Sequence, residues 1–328
     1  MGTPMRRCLI IRPGAIGDAI VTLPAAQRLR ESGAQVHLVV GGSAAELLRG
    51  RCAAEVVSSF DEARWAALFA PALPAEMRAF LEGFAAILVY LADAASPLVL
   101  PLRSLATRVV LWPAFPATPQ PIALHLQEAL NPLGLAAEPC WPSIRLTAAD
   151  IAFAEGFWRD QGLPVGSEIP VIALHPGSGS PRKNWPAERY AALAARLARE
   201  RHARLLVVAG PADEAAWQVL RGQWADEPPL VLESRSLAQV GALLARCHLL
   251  IGNDSGIAHL SAALGVPTLA LFGPTDPRVW APQGPRAAVI APERPSDGGL
   301  ASLTVERAYK EALALLARGD WPPGARRV

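Results

Sequence analysis

The residues best suited to chemistry lie where apolar runs of the sequence end. The stretch 251–260, IGNDSGIAHL, places small polar residues directly before a helical pattern. Ser255 and Gly256 would begin that helix, where free N–H groups and the dipole favour an anion. His259 would lie one turn later on the same face, although a lone helical histidine is more often structural. Asp254 would repel a phosphate, so we expect it to bind a hydroxyl or cap the helix.

A second such junction is the segment 175–186, HPGSGSPRKNWP. Backbone N–H groups in a loop of this composition can form an anion nest, and Lys183 adds a point charge for a phosphate. The alternative is a surface loop with a solvated Arg–Lys pair. Glycine and serine beside a strand end favour phosphate binding. The predicted contacts in this loop are Gly177, Ser178 and Gly179.

A third junction is the segment 12–24, RPGAIGDAIVTLP. Gly14 and Gly17 permit close backbone approach or a positive φ. Asp18 is either a helix cap or a base, and the pattern alone favours the cap. The spacing GxxGD differs from the GxGxxG of a dinucleotide site.

The fourth junction is the segment 209–214, AGPADE, after another apolar run. Asp213 or Glu214 at a helix start can complement the helix dipole. A carboxylate at this place can also bind the hydroxyls of a ribose. The residues alone leave both interpretations open.

The elements that carry these junctions alternate along the chain. Short apolar runs predict strands at 7–12, 35–40, 86–91, 108–112, 170–174, 204–209, 248–251 and 267–272. Helical patterns lie at 18–32, 122–133, 148–161, 187–201, 213–224, 237–246, 256–264 and 304–317. This alternation predicts an α/β protein with parallel sheets covered on both faces. Ligands of such sheets bind beyond the carboxyl ends of the strands, where all four junctions lie.

The chain of 328 residues suits two domains rather than one core. Proline and glycine punctuate residues 134–170, which we interpret as the interdomain connection. The predicted domains are 1–160 and 161–328. A net charge of +2 gives no nucleic-acid footprint.

Several classes of site lack their sequence signals. The four cysteines are far apart in sequence, so no zinc or redox motif is present and a reduced, cytoplasmic protein is expected. The apolar run near the N-terminus is too short for a signal peptide or a membrane span. No DxD, HExxH, GxSxG or Walker A motif occurs, so we predict neither a metal nor a cofactor.

Four segments together resemble a known family. They are GDAIVTLPAAQRLR, HPGSGSPRKNWPAERYAALA, GPADE and GNDSGIAHLSAALGVPTLALFGPTDP, in this order and spacing. They resemble glycosyltransferase family 9, the heptosyltransferases of lipopolysaccharide core synthesis. The resemblance implies a GT-B fold, in which two Rossmann-like doubly wound domains face a cleft and the last helix packs back on the first domain.

The resemblance also implies an activity and its residues. It implies inverting, metal-independent transfer of heptose from ADP-heptose, which binds the second domain, to an acceptor on the first. The family's catalytic aspartate matches Asp18, its phosphate-binding lysine matches Lys183, and its nucleotide-binding acid matches Glu214. Its D-[ST]-G-x-x-H segment matches Asp254, Ser255, Gly256 and His259. Inversion needs a base for the acceptor hydroxyl, which favours Asp18 as the base over Asp18 as a cap.

The resemblance also implies the kind of acceptor. The acceptor is expected to be a lipopolysaccharide core or other lipid-linked surface glycan, with peripheral contact at the inner membrane face. Nothing in the sequence separates heptose from a hexose. A basic acceptor face would draw on Arg6, Arg7, Arg28, Arg30, Arg49 and Arg51.

Three other functions fit less well. A non-hydrolysing UDP-sugar 2-epimerase is disfavoured because histidines for proton shuttling are scarce. A non-catalytic sugar-nucleotide-binding protein is disfavoured by the presence of both Asp18 and Lys183. A dehydrogenase fits least, because no acidic ribose residue follows the second predicted strand.

Overall fold

A computed structural model of the chain describes residues 7–93, 95–210, 213–222, 228–293 and 299–318. It divides into two compact units, Met1–Ile144 and Arg145–Val328. The predicted boundary after residue 160 lies beyond helix α6 (Ala148–Asp160), which packs against helix α9 (Leu237–Leu244) of the second unit.

The first unit contains one parallel sheet. Its described strands lie in the order β3-β2-β1-β4-β5. They are β1 (Arg7–Arg12), β2 (Gln35–Val40), β3 (Val56–Ser59), β4 (Ala86–Leu91) and β5 (Arg108–Pro113). The helices are α1 (Ile16–Glu31), α2 (Gly42–Leu48), α3 (Ala75–Glu82), α4 (Val99–Arg103) and α5 (Ile122–Gln127), with 3₁₀ turns at Ala63–Phe69 and Glu128–Leu133. Apolar residues of β1 and β4 pack against the buried Trp65.

The second unit repeats this plan with one more strand. Its described strands lie in the order β11-β10-β9-β6-β7-β8. They are β6 (Val171–His175), β7 (Arg204–Val208), β8 (Leu230–Leu232), β9 (Leu249–Asn253), β10 (Thr268–Leu271) and β11 (Ala287–Ile290). Besides α6 and α9, the helices are α7 (Ala187–Arg201), α8 (Glu214–Arg221), α10 (Gly256–Ala263), α11 (Pro277–Trp280) and α12 (Val305–Ala317). Helix α12 packs on α7 and on β9, β10 and β11 of this same unit.

The strand order fixes where ligands are expected. In the first sheet β1 lies between β2 and β4, and in the second sheet β6 lies between β7 and β9. Both are the topological switch points of doubly wound sheets, where the chain leaves neighbouring strands in opposite directions. The loops after β1, β6 and β9 are three of the four junctions singled out from the sequence.

The predicted parallel α/β architecture is confirmed, and the differences concern short elements. Strands β1, β2 and β4 have the predicted bounds. The sequence missed β3, β8 and β11, which have only three or four residues, and the short helices α2, α3, α4 and α11. Among the described residues, no helix is both long and apolar enough to cross a membrane.

Candidate active site

The junction after β1 positions Asp18 in the first unit. Asp18 is the third residue of α1, and Ala15 holds the N-cap position. Its Oδ2 accepts the backbone N–H of Ala15 at 3.0 Å, and its Oδ1 accepts Nη2 of Arg12 at 2.6 Å. The side chain is 26% exposed. A carboxylate offers about four acceptor directions, so Asp18 both stabilises the helix start and keeps acceptor capacity toward solvent.

Arg12 is a residue that the sequence reasoning did not select. It is the last residue of β1, and only 4% of its side chain is exposed. Burial lowers the pKa of its guanidinium, while Asp18 and the nearby Tyr90 partly offset that effect. A buried cation bonded to one carboxylate oxygen fixes the orientation of the other. Arg12 therefore orients Asp18.

Glycine is required in this loop by close approach. The backbone φ of Gly14 is not positive, but a Cβ at this position would lie 2.9 Å from Oδ2 of Asp18. At Gly41, after β2, a Cβ would lie 2.5 Å from the carbonyl oxygen of Gly14. Gly17 is the second residue of α1. Two reasons were predicted for glycine at position 14. Close approach of neighbouring atoms applies, and a positive φ does not.

The switch point of the second unit brings together Lys183 and Asp254. Nζ of Lys183 donates to Oδ2 of Asp254 at 2.8 Å. The hydroxyl of Thr275, from the turn after β10, donates to the same oxygen at 2.5 Å. Asp254 is 6% exposed and Lys183 is 30% exposed. Since an ammonium has three donors, two of those of Lys183 remain for a ligand.

Asn253 attaches the loop after β6 to the end of β9. Its side chain is fully buried. Its Oδ1 accepts the backbone N–H of Trp185 and the hydroxyl of Tyr190, each at 3.0 Å. Its Nδ2 donates to the carbonyl of Pro176 at 2.7 Å and to that of Gly177 at 3.3 Å. This network sets the position of the loop that carries Lys183.

Ser255 caps helix α10 and contacts a buried histidine. Its Oγ accepts the backbone N–H of Ala258 at 3.4 Å. The same oxygen lies 3.1 Å from Nδ1 of His175, the last residue of β6. Nε2 of His175 lies 3.2 Å from Oδ2 of Asp213. A carboxylate, an imidazole and a hydroxyl therefore form one chain that ends at the N-terminus of a helix.

Gly177 makes room for Asp213. A Cβ at this position would lie only 1.4 Å from Oδ1 of Asp213, so only glycine fits. Burial opposes the charge of Asp213, but hydrogen bonds from His175 and the backbone of Gly210, together with the attraction of His175, lower its pKa below the ordinary value. Asp213 is therefore an ionised, buried carboxylate.

The structure also locates the other predicted binding residues. Gly256 is the first residue of α10, and the buried His259 lies on its first turn. Ser178 is buried, and its hydroxyl lies 2.7 Å from both Oδ1 of Asn184 and the carbonyl of Ser180, within its own loop. Gly179 has open space at its Cβ position. Glu214 is exposed and accepts Nε2 of Gln218 at 2.6 Å. Asp213, its neighbour, is the acid that joins the buried network.

The arginines proposed for a basic acceptor face have partners in the first unit. Arg28 pairs with Glu31 and Glu138, Arg30 with Glu55, and Arg49 with Glu62. Arg7 lies over the ring of Phe84, and Arg51 donates to backbone carbonyls. Arg6 lies outside the described residues.

The described residues around the two sites hold no cluster of metal ligands. Within the part of the chain that the structure describes, no three His, Cys, Asp or Glu side chains form a group that could hold a metal ion. Metal independence stays a prediction.

Two doubly wound sheets, each with charged side chains at its switch point, define a two-unit Rossmann-like protein. The model of "Glycosyltransferase family 9 (heptosyltransferase)" matches residues 120–306, more than half of the chain. The chain therefore belongs to glycosyltransferase family 9, as the motifs predicted.

A curated relative agrees over part of its length. Lipopolysaccharide heptosyltransferase 2 of Salmonella typhimurium is 33% identical over 154 residues, which are 46% of this chain and 43% of that protein. The chain thus spans less than half of the length of this relative in the match.

Solved structures cover nearly the whole chain. A family 9 glycosyltransferase from Veillonella parvula has a TM-score of 0.79 at 21% identity and covers 96% of this chain and 98% of its own. The E. coli heptosyltransferase WaaC with ADP has a TM-score of 0.68 at 24% identity, and the match covers 94% of this chain and 99% of the WaaC chain. These likenesses confirm the predicted α/β fold of the GT-B type.

Proposed function

We propose that the protein is an inverting, metal-independent heptosyltransferase. It transfers heptose from ADP-heptose to a hydroxyl of a lipopolysaccharide core or related surface glycan. The observation that carries the proposal is the position of Lys183 and Ser255 at the β6–β9 switch point, beside the N-terminus of α10. Membership of family 9 and the WaaC structure with ADP support the choice of donor.

The second unit supplies the stabilisation of the leaving group. As the bond from the anomeric carbon to the diphosphate breaks, negative charge grows on the diphosphate oxygens. The free N–H groups of α10, the hydroxyl of Ser255 and the spare donors of Lys183 stabilise that charge. Asp254 orients Lys183 through their 2.8 Å contact.

The first unit supplies the base. The acceptor hydroxyl attacks the anomeric carbon from the face opposite the diphosphate and gives its proton to Asp18. The new bond to the acceptor oxygen forms as the bond to the diphosphate breaks, so the configuration at the anomeric carbon inverts. Arg12 and the backbone N–H of Ala15 each bond one oxygen of Asp18 and fix its orientation, and the remaining acceptor directions of these oxygens are available to the hydroxyl.

Membership of family 9, rather than the geometry of the site, supports the choice of acceptor. The acceptor is a lipid-linked glycan, so the enzyme works in the cytoplasm and contacts the inner face of the membrane peripherally. The paired arginines of the first unit are available to such an acceptor only if they exchange their carboxylate partners. The identity of the acceptor sugar is open to a direct screen.

Calorimetric titration with ADP, UDP and GDP, with and without EDTA, tests the donor site. We expect selective binding of ADP that EDTA does not change. Lys183→Ala should weaken ADP binding at least tenfold, since it removes a charge that contacts phosphate. The matched control is Lys310→Ala, which removes the other lysine of the chain, an exposed residue of α12 that pairs with Glu306.

Each outcome has a distinct meaning. Preference for UDP would move the assignment to another sugar donor or to a 2-epimerase. Equal losses in the two lysine variants would refute the phosphate-binding role of Lys183. Turnover of ADP-heptose with heptose-deficient lipopolysaccharide, followed by NMR of the product's anomeric centre, tests transfer and inversion. A retained configuration would exclude Asp18 as the base of a single displacement.

A further inference from the structure

The hydrogen-bonded series Asp213–His175–Ser255 has no proton left to donate to a bound anion while His175 is neutral. Asp213 is ionised and also accepts the backbone N–H of Gly210 at 2.8 Å. Because a carboxylate only accepts, Nε2 of His175 carries a proton and donates it to Asp213. In a neutral imidazole the other nitrogen, Nδ1, then carries no proton and can only accept a hydrogen bond.

Among the described residues, the hydrogen-bonding partner of Nδ1 is the hydroxyl of Ser255, at 3.1 Å. Ser255 has one hydroxyl proton, and its oxygen already accepts from the backbone N–H of Ala258. While His175 is neutral, the proton of Ser255 is committed to His175 and none is left for a phosphate oxygen.

We infer that the donor diphosphate binds together with one proton, which His175 takes up at Nδ1. The imidazolium then donates to Oγ of Ser255, and the hydroxyl proton of Ser255 turns to a diphosphate oxygen. No covalent bond between heavy atoms changes, and the proton comes from solvent. This inference rests on the proposed function, because it requires a nucleoside diphosphate at the N-terminus of α10.

Charged and titratable groups on several elements face His175. Asp213 provides one negative charge at 3.2 Å. Tyr190 of α7 contacts the backbone carbonyl of His175, but burial raises the pKa of its phenol well above the ordinary value, so it stays neutral. Lys183 and Asp254 flank the site as a pair of opposite charges. The diphosphate adds further negative charge to that of Asp213, which favours a charged imidazolium in the complex. His175 is thus a positioning residue that acts through Ser255.

The linkage has a defined sign. Because the complex holds one more proton than the free protein, affinity for the diphosphate falls as the pH rises. Where uptake is complete, the loss approaches about tenfold per pH unit. The imidazole also returns this proton when the nucleotide leaves, so release of the product nucleotide is favoured at higher pH.

The test is calorimetry of ADP-glucose binding in several buffers of different ionisation enthalpy, between about pH 6 and pH 8.5, where lysine does not titrate. ADP itself is unsuitable because its terminal phosphate titrates with a pKa of about 6. That oxygen is esterified in ADP-glucose. The slope of binding enthalpy against ionisation enthalpy counts the protons, and we expect a maximum uptake approaching one per site.

Variants assign the proton. His175→Gln keeps a hydrogen-bonding side chain that cannot become charged, so uptake should fall to near zero and the affinity should no longer depend on pH. Asp213→Asn should also reduce the proton uptake, because it removes the negative charge beside His175. The control His202→Asn changes an exposed histidine in a left-handed conformation that asparagine tolerates, and it should leave uptake unchanged.

The outcomes separate the two proposals. Binding of ADP-glucose by the wild-type protein without proton uptake at any pH overturns the inference and leaves the proposed function standing. Uptake that persists in His175→Gln also overturns it, since another group would then hold the proton. No binding of ADP-glucose or ADP overturns both proposals. The wild-type measurement decides even if a variant fails to fold.

Discussion

Replacing Gly177 with alanine is expected to expel the carboxylate of Asp213 from its place beside His175. An alanine Cβ would lie 1.4 Å from Oδ1 of Asp213 and 2.1 Å from its Cγ, closer than non-bonded atoms can approach. Gly179, two residues further along the same loop, has no atom within 4 Å of its Cβ position. Gly179→Ala is therefore a matched control for Gly177→Ala.

The magnitude follows from the contacts that would be lost. Asp213 accepts Nε2 of His175 at 3.2 Å and the N–H of Gly210 at 2.8 Å. Hydrogen bonds to charged groups contribute about 1.5–3 kcal/mol each. Hydration of the expelled carboxylate recovers part of this, so we expect a net loss of about 3 kcal/mol in the free energy of unfolding of the second unit. That loss corresponds to a fall in Tm of roughly 10 °C for a unit of this size.

Urea unfolding followed by tryptophan fluorescence measures the difference. Trp185, buried beside this loop, reports on the second unit. Both substitutions reduce the entropy of the unfolded chain to a similar extent, so the comparison removes that contribution. Equal stabilities of Gly177→Ala and Gly179→Ala, within about 0.5 kcal/mol, would refute the placement of Asp213 against Gly177.

Three further predictions concern residues outside this contact. Arg12→Lys keeps the charge but loses the guanidinium that orients Asp18, so kcat of heptose transfer should fall about tenfold to a hundredfold while calorimetry shows unchanged ADP binding; an unchanged kcat would exclude the orienting role. Burial, aided by two nearby arginines, lowers the pKa of His37 from 6.5 to about 4. The unfolded chain therefore binds a proton at His37 that the native state does not bind. This residue should lower the stability measured by urea unfolding by up to about 3 kcal/mol as the pH drops from 6.5 to 4. His37→Gln should remove that part of the slope and leave the part due to His248, whose pKa burial also lowers. Asn253→Ala leaves buried polar groups without their partner and should destabilise the protein by about 3 kcal/mol, whereas the exposed Asn131→Ala should stay within about 0.5 kcal/mol.

Sequence reasoning located the sheets because the central strands are long and apolar. Strand β1 and its neighbours β2 and β4 are buried on both faces, which produces segments of six residues in which at least four are apolar. Strands β8 and β11 have three or four residues and are partly exposed. A run of that length carries no period that separates a strand from a loop.

The sequence predicted some residues of the candidate site and missed others for a related reason. Lys183, Asp254 and Ser255 were found because they lie in polar segments that begin where an apolar run ends. His175 and Arg12 are the last residues of their strands, and a polar residue at that place suggests only that the strand ends. Gly177 was expected to expose backbone donors, but spacing alone cannot show that a carboxylate from a distant segment fills the space of its missing side chain. A histidine closing a wholly apolar strand, followed two residues later by glycine, was the signal available.

The anchoring of the loop after β6 by Asn253 restricts how this part of the chain can change in length. Most connections between strands and helices tolerate inserted residues, because their backbone polar groups turn to water. Here the carbonyls of Pro176 and Gly177 and the N–H of Trp185 all meet one buried amide. An added residue between 177 and 185 would put these groups out of register with that amide. Insertion scanning of the second unit should therefore find this loop as intolerant of length changes as the strands beside it.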